Sequence, residues 1–286
     1  MTTSVPHRAR ARARRVGSLV IVGTGIRTVR HITAEARDEI GRAEKLFYLV
    51  GDEVSEGWIT TQNPTAESLA SCYVRGKSRM IAYRRMIARI LTSVRRGSRV
   101  CAAFYGHPGV FVYPSHEAIR QARKEGYEAR MLPGISAEDC LFADLGIDPS
   151  RSGCQSFEAT DFLIFRRKFD PSSSLLLWQA GIIGSMVYRP RNVRSGLRAL
   201  SRYLAEFYGG QHEVVLYEAT PFPLFRPVIR STTVDQLPTA GVDGTMTLFV
   251  PPKTRRPDPE GLRQLRLSRA KLTTVPPCWD PDTPRT

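Results

Sequence analysis

No stretch of this sequence approaches the roughly 20 consecutive apolar residues that cross a membrane. The apolar run nearest the start, Leu19–Val22, is broken at once by Gly23 and Arg27. Arg14-Arg15 ahead of it therefore does not make a signal peptide, and the expectation is a cytoplasmic protein with no membrane partner. Cysteine is scarce. Cys72, Cys101, Cys140, Cys154 and Cys278 form no C-x-x-C pair. That argues against a zinc site or a disulfide framework, suits a reducing compartment and predicts no bound metal. A complete dinucleotide fingerprint is also missing. Gly23-Thr24-Gly25 follows a strand, but Thr28 stands where the last glycine of G-x-G-x-x-G belongs. Acidic residues are scarce at the ends. Residues 1–16 hold five Arg and no acid, and 253–286 hold eight basic against four acidic residues. More than half of the net charge of +15 sits in these two segments. A basic arm can hold nucleic acid or an acidic partner, or serve only as a solubilising arm.

What is present is an alternation of strands and helices. With 286 residues and 42% hydrophobic composition, the chain can bury a sizeable core in one or two domains. Leu19–Val22, Leu46–Val50, Val100–Phe104 and Arg130–Leu132 read as strands. Helices are predicted after Thr33, from Thr65 or Ser68 to about Val74, over Ser78–Arg95, and from a Ser115 cap to Glu125. The pattern is β-α-β with a mostly parallel sheet. From Glu138 the texture changes. Strand-like segments at Cys154–Glu158, Leu175–Gln179, Val214–Ala219 and Thr245–Pro251 alternate with helices, the clearest at Arg191–Tyr208. The expected organisation is a basic arm at 1–16, an α/β domain at 17–137, a second α/β domain at 138–252 and a Pro-rich basic tail at 253–286. The tail contains one short helix at Pro259–Lys271.

Three turns follow strands: Gly23–Ile26, Tyr105–Gly109 and Pro133–Ser136. Loops at strand C-termini are where open α/β sheets bind ligands, so these three predict a small-molecule cofactor.

The loop sequences carry a family resemblance. Val22-Gly23-Thr24-Gly25-Ile26, Phe104-Tyr105-Gly106-His107-Pro108-Gly109-Val110-Phe111 and Leu132-Pro133-Gly134-Ile135-Ser136-Ala137 resemble the tetrapyrrole methylase superfamily. Small-substrate members usually carry Gly-Asp-Pro where this chain has Gly106-His107-Pro108, which lowers a porphyrinoid substrate. The Gly-His-Pro form resembles the borosin peptide backbone N-methyltransferases. So do Ser136–Gly146, Gly153–Leu163 and Leu177-Trp178-Gln179. The resemblance covers about residues 17–252. It implies a two-domain tetrapyrrole methylase-like fold (class III methyltransferase), with S-adenosylmethionine in the cleft between the domains. By the same resemblance Gly23, Gly25, Tyr105, His107, Val110, Phe111, Ser136 and Ala137 face the cofactor, with Gln179, Tyr217 and Thr245 reaching it from the second domain. Tyr73, Arg79, Tyr83 and Tyr105 are the implied catalytic set. Arg79 and Tyr83 are four apart, so they share a helix face. A guanidinium beside a phenol would lower its pKa. His107 also reads as a loop imidazole bonded to backbone.

The implied activity is N-methylation of backbone amides in a ribosomally made precursor peptide, by a homodimer. The alternatives are an RNA methyltransferase, favoured by the basic ends, a porphyrinoid or corrinoid C-methyltransferase, and a binding protein that has lost catalysis. Residues 253–286 contain Pro257, Pro259, Pro276, Pro277, Pro281 and Pro284, which offer no N–H to methylate, and six Arg. They lack a run of Val, Ile or Gly. The expected substrate is therefore a separate precursor supplied in trans.

Overall fold

The computed structural model describes residues 16–188 and 193–267. The arm at 1–15 lies outside them, as do 189–192 and the tail beyond 267. The first half forms a five-stranded sheet from β1 (Ser18–Gly23), β2 (Lys45–Leu49), β3 (Glu67–Ser68), β4 (Arg99–Phe104) and β5 (Glu128–Leu132). The order is β3-β2-β4-β1-β5, and every pair is parallel. The intervening helices are α1 (Thr28–His31), α2 (Ala34–Arg42), α3 (Glu53–Gln62), α4 (Arg79–Arg95) and α5 (Tyr113–Lys124). A parallel sheet needs cover on both faces. Here α4 and α5 bury one face around Met86, Ile90, Val100 and Phe104. Residues around α2 and α3, among them Ile40, Leu46 and Ile59, bury the other.

The second half begins with α6 (Ala137–Leu145) and α7 (Pro149–Ser152). Then come β6 (Cys154–Glu158), α8 (Ala159–Ile164), β7 (Ser174–Trp178), α9 (Arg194–Tyr208), β8 (Glu213–Glu218), β9 (Val228–Thr233) and β10 (Thr247–Val250). A one-turn helix, α10 (Pro259–Gln264), follows. The second sheet runs β6-β7-β10-β8-β9. Only β6 and β7 are parallel; the other pairs are antiparallel. Leu141 and Leu145 of α6 pack under this sheet with Trp178, Tyr217 and Phe249.

Local chemistry explains most of the helix ends. Thr33 accepts from the Ala36 amide at 3.1 Å and starts α2. Ser78 caps α4, which buries Ala82, Met86, Ile87, Ile90, Leu91 and Val94. The larger of these contribute about 1.5–3 kcal/mol each. Ser136 and Asp139 form a reciprocal capping box at the start of α6.

Several expectations are corrected. The segment 65–74 is not a helix. Thr65 Oγ1 accepts from the Leu46 amide, which ties it to β2. Ser68 then pairs with Tyr48 in β3, and one 3₁₀ turn at Ala70–Cys72 follows. Ser115 is not a cap. The helix starts two residues earlier, helped by Pro114 in its first turn, and the buried Ser115 hydroxyl has no hydrogen-bond partner among the described residues. The expected Arg191–Tyr208 helix begins at Arg194, with 191–192 outside the described residues. The tail helix ends at Gln264 rather than Lys271. The helix α3 and the strand β9 had no counterpart in the sequence reading.

Candidate functional site

In the first sheet, β1 connects onward to β2 on one side, while β4 connects through α5 to β5 on the other. The loops after these neighbouring strands therefore diverge, which opens a crevice at the strand C-termini. The floor of that crevice is locked by glycine. Gly25 and Gly106 exchange backbone hydrogen bonds at 3.2 and 2.9 Å. Gly106 has φ +70°. A Cβ on Gly23 would lie 2.5 Å from the Gly106 carbonyl oxygen and 2.9 Å from Gly134 Cα. One on Gly134 would lie 2.6 Å from the same oxygen. All three loops thus meet at backbone contact distance, which only glycine permits.

Above this floor lies a cavity of about 240 Å³. The loops of the first sheet, with α4 and the start of α6, give it Tyr73, Tyr83, Tyr105, His107, Val110, Phe111, Ser136 and Ala137. The second sheet and its loops give it Trp178, Gln179, Ile182, Gly244, Thr245 and Thr247. Of the residues singled out by sequence, ten line this space. Gly23 and Gly25 do not; they hold the loops beneath it. Nor does Arg79, which braces Gln179 from outside the lining. Tyr217 does not line it either. It is buried in β8, and its hydroxyl donates to Asp144 Oδ2 at 2.8 Å. Burial and the Asp144 carboxylate push that phenol far above the usual tyrosine range.

Two non-glycine residues on the cavity wall hold left-handed backbone, Phe111 at φ +54° and Gln179 at φ +58°. Such strain persists only where the surroundings enforce it, and it concentrates at functional sites. Gln179 is enforced by a neighbour. Arg79 Nη1 donates to Gln179 Oε1 at 2.8 Å, and Arg79 Nη2 donates to the Ser185 carbonyl at 2.9 Å. Backbone bonds reinforce the junction: Gly76 N–H to Tyr188 O, Tyr188 N–H to Lys77 O, and Arg79 N–H to Met186 O, at 3.0–3.1 Å. Phe111 leans on Trp178, with ring centroids 5.7 Å apart.

The phenols cluster on the opposite wall. Tyr73 meets Tyr83 edge-on at 6.3 Å and stacks on Tyr188 at 4.5 Å. Burial raises the Tyr73 pKa well above its ordinary value, and Tyr83, Tyr105 and Tyr188 raise it further. Arg79 is not among the causes, so the expected depression of a tyrosine pKa by Arg79 is not found at Tyr73. Tyr105 is 53% accessible because its ring borders the open cavity. Protein surrounds that space, and the resulting desolvation raises this phenol also, with Tyr83 adding to it. His107 Nδ1 accepts from the Gly109 amide at 2.9 Å, so the imidazole braces its own turn while lining the cavity. The Ser136 hydroxyl serves the capping box, and the Thr245 hydroxyl donates to Glu218 at 2.6 Å.

Trp178, Ile182, Gly244 and Thr247 are wall residues that sequence reasoning did not assign, and Trp178 is the most prominent. Its Nε1–H donates to Ser156 Oγ at 2.6 Å, which fixes the ring. Its place beside Gln179, at the end of an apolar strand, was the available signal. Among the described residues no His/Cys/Asp/Glu group could hold a metal, and no helix is long and apolar enough to cross a membrane.

Residues 18–232 match the sequence model of the Tetrapyrrole (Corrin/Porphyrin) Methylases. The methyltransferase/ribosomally synthesized cyclic peptide dendrothelin A precursor of Dendrothele bispora is 43% identical over 281 residues. The alignment covers 94% of this chain and 67% of that protein. The corresponding omphalotin A precursor of Omphalotus olearius is 42% identical, with 94% and 68% covered. A type I borosin cyclic peptide precursor of Coprinopsis marcescibilis is 40% identical, with 93% and 71% covered. The chain thus spans about two thirds of these relatives' length. Among solved structures, the uroporphyrin-III-C-methyltransferase from Thermus thermophilus superposes with a TM-score of 0.57 at 19% identity. It covers 82% of this chain and 91% of its own.

Proposed function

The chain belongs to the tetrapyrrole methylase family, and within it to the borosin methyltransferases; from that membership we propose that it methylates backbone amides of a ribosomally made peptide, using S-adenosylmethionine. The carrying observation is the cavity itself. A cluster of three phenols, Tyr73, Tyr83 and Tyr105, faces the Phe111–Trp178–Gln179 wall across a space lined from both sheets.

The residues fit such a cofactor. The Phe111 and Trp178 rings present π faces of the kind that attract a cation such as a sulfonium. The start of α6 at Ser136–Ala137 borders the cavity, and a helix N-terminus suits a carboxylate. Gln179, Gly244 and Thr245 supply polar and backbone groups from the second sheet. The bound cofactor would supply an electrophilic methyl group.

The acceptor is the harder partner. An amide nitrogen is a poor nucleophile because its lone pair is delocalised into the carbonyl. Tyr83 or Tyr73, as phenolate, takes the amide proton. Arg79 holds the charge that develops on the amide oxygen. A guanidinium has five N–H donors, and the bonds to Gln179 and Ser185 use two of them. The enclosing loops exclude water and align the reactants.

The acceptor peptide is a separate chain in this reading. The prolines and arginines of 253–286 make that segment a poor acceptor, and a homodimer completes the reading. The test is incubation with S-adenosylmethionine and candidate precursor peptides, followed by mass spectrometry. Steps of about 14 Da per methyl, mapped to backbone nitrogen of the peptide, are expected. Methyl groups mapped within 253–286 of the chain itself would overturn the separate-chain reading. Methylated RNA with unmodified peptide would overturn the whole.

A further inference from the structure

Between Glu67 and Glu117 the sequence contains no acidic residue at all, but nine basic ones. That segment includes β4, α4 and the phenols of the cavity, so its charge falls beside the site. All of the nine except Arg79 are exposed, among them the four nearest the phenols in sequence, Arg75, Lys77, Arg84 and Arg85. Among the described residues none of the four has an ion-pair partner. The neighbouring Arg89 is different, since it pairs with Glu67 at 3.6 Å and donates to Ser71.

Two of them, Lys77 and Arg85, line a second cleft of about 260 Å³ beside the Tyr73–Tyr83 wall. Its floor is Cys72, Val74, Ile81 and Ala82, and its rim includes Lys77 and Arg85. Val74 and Ile81 remain 44% and 43% exposed, although both are large and apolar. Apolar side chains left open beneath unpaired cations mark a surface built for a partner.

We propose that this cleft docks an acidic, apolar segment of the substrate peptide, away from the amides that are methylated. The proposal rests on the peptide reading above and adds to it a second contact outside the cavity. Three observations select this occupant. The rim charges are uncompensated and of one sign, so the complementary partner is acidic. The floor is apolar, which suits leucine-like side chains between the carboxylates. A second copy of this chain would bring the same cations against themselves if it packed through this face about a twofold axis, and like charges would repel. Nucleic acid also carries negative charge, but the aliphatic floor offers no aromatic platform for stacked bases.

The cleft is next to the phenols in sequence as well as in space. Tyr73 immediately precedes Val74, and Tyr83 lies between Ala82 and Arg84 on the same helix. A segment held here would raise the effective concentration of the flanking residues at the cavity mouth.

The test uses the full chain and fluorescence anisotropy. The probe is a labelled synthetic peptide alternating Glu with Leu, compared with the same peptide carrying Lys in place of Glu. Binding of the acidic peptide alone is expected, and it should weaken as salt rises. Lys77→Glu with Arg85→Glu should weaken it about tenfold or more, since two attractions become repulsions. Arg198→Glu, an exposed charge on α9, controls for net charge and should change it little. Equal affinity for both peptides, or an unchanged affinity in the double variant, would overturn the proposal. So would a single-stranded RNA that displaces the acidic peptide and loses affinity in the same variant. The measurement needs no turnover. If methyl transfer fails while docking holds, the reaction reading falls and the cleft assignment stands; the reverse result separates them the other way.

Discussion

Gly134→Ala gives a direct test of how the three loops build the site. A Cβ there would lie 2.6 Å from Gly106 O, 2.8 Å from Gly23 Cα and 3.1 Å from Gly23 C. Ordinary contact begins near 3.4 Å, so the first two are short by about 0.6–0.8 Å. All three atoms are backbone, and no side chain can rotate away. The loops after β1 and β4 must separate instead. Overpacking of this kind costs about 1–3 kcal/mol. At about 2–4 °C per kcal/mol for a protein near this size, the thermal midpoint should fall by roughly 2–12 °C. The loops that move are those beneath Tyr105–Phe111 and Ser136, so S-adenosylmethionine affinity should fall too, tenfold for about each 1.4 kcal/mol lost. Gly57→Ala is the control. Gly57 lies inside α3, where a Cβ would meet nothing within 4 Å. It should gain about 1 kcal/mol from helix propensity alone and leave affinity unchanged. Scanning calorimetry with isothermal titration reads both. A Gly134→Ala protein with parental midpoint and affinity would refute the locked-loop argument. A lower midpoint with intact affinity would refute its link to the site.

Tyr83→Phe should keep the fold and cofactor binding but lower turnover by about 10²-fold or more, as expected for loss of a general base. Arg79→Ala should also lose turnover, and weaken cofactor binding through Gln179; near-parental rates in both variants would remove this assignment. Burial raises Tyr73 and Tyr105, so the neutral phenols dominate at neutral pH. With Tyr73 as the base, single-turnover rates should therefore climb from about pH 7 to 9 without a plateau, and a plateau below about pH 7.5 would exclude Tyr73 as the base. Ser115→Ala removes a buried hydroxyl without a partner among the described residues and improves helix propensity, so it should stabilise the protein by about 1 kcal/mol in denaturant titration.

The parts of the fold that periodicity could show were legible. The strands β1, β2 and β4 are short apolar runs bounded by turns, and α4 carries its buried residues at helical spacing. The failures have physical causes. Glu67–Ser68 is too short to show alternation, and backbone pairing with Tyr48 outweighed its helix-cap chemistry. Ser115 looked like a cap because the Pro114 signal belongs one position earlier. The strand β9, Val-Ile-Arg-Ser-Thr-Thr, has only intermediate or exposed positions, so it lacked a hydrophobic pattern. At the site, the loops announced themselves through glycine. Their division of labour did not, because whether a glycine touches ligand or another loop depends on distances across the sheet. Tyr217 was out of reach for the same reason, since its partner Asp144 lies 73 positions away.

The backbone pairing of 76–79 with 186–188 has a consequence for any attempt to take the protein apart. The stretch that carries Tyr73, Arg79 and Tyr83 belongs by sequence to the first sheet, yet part of its backbone bonding and its Tyr188 stacking partner come from beyond α8. Expressed as two fragments cut near residue 137, the first piece would hold Tyr73, Tyr83 and Tyr105 but lack the Tyr188 ring and the backbone bonds that brace 76–79. Reassembly of the fragments would itself complete the reactive surface, so this junction offers a natural seam for a complementation reporter.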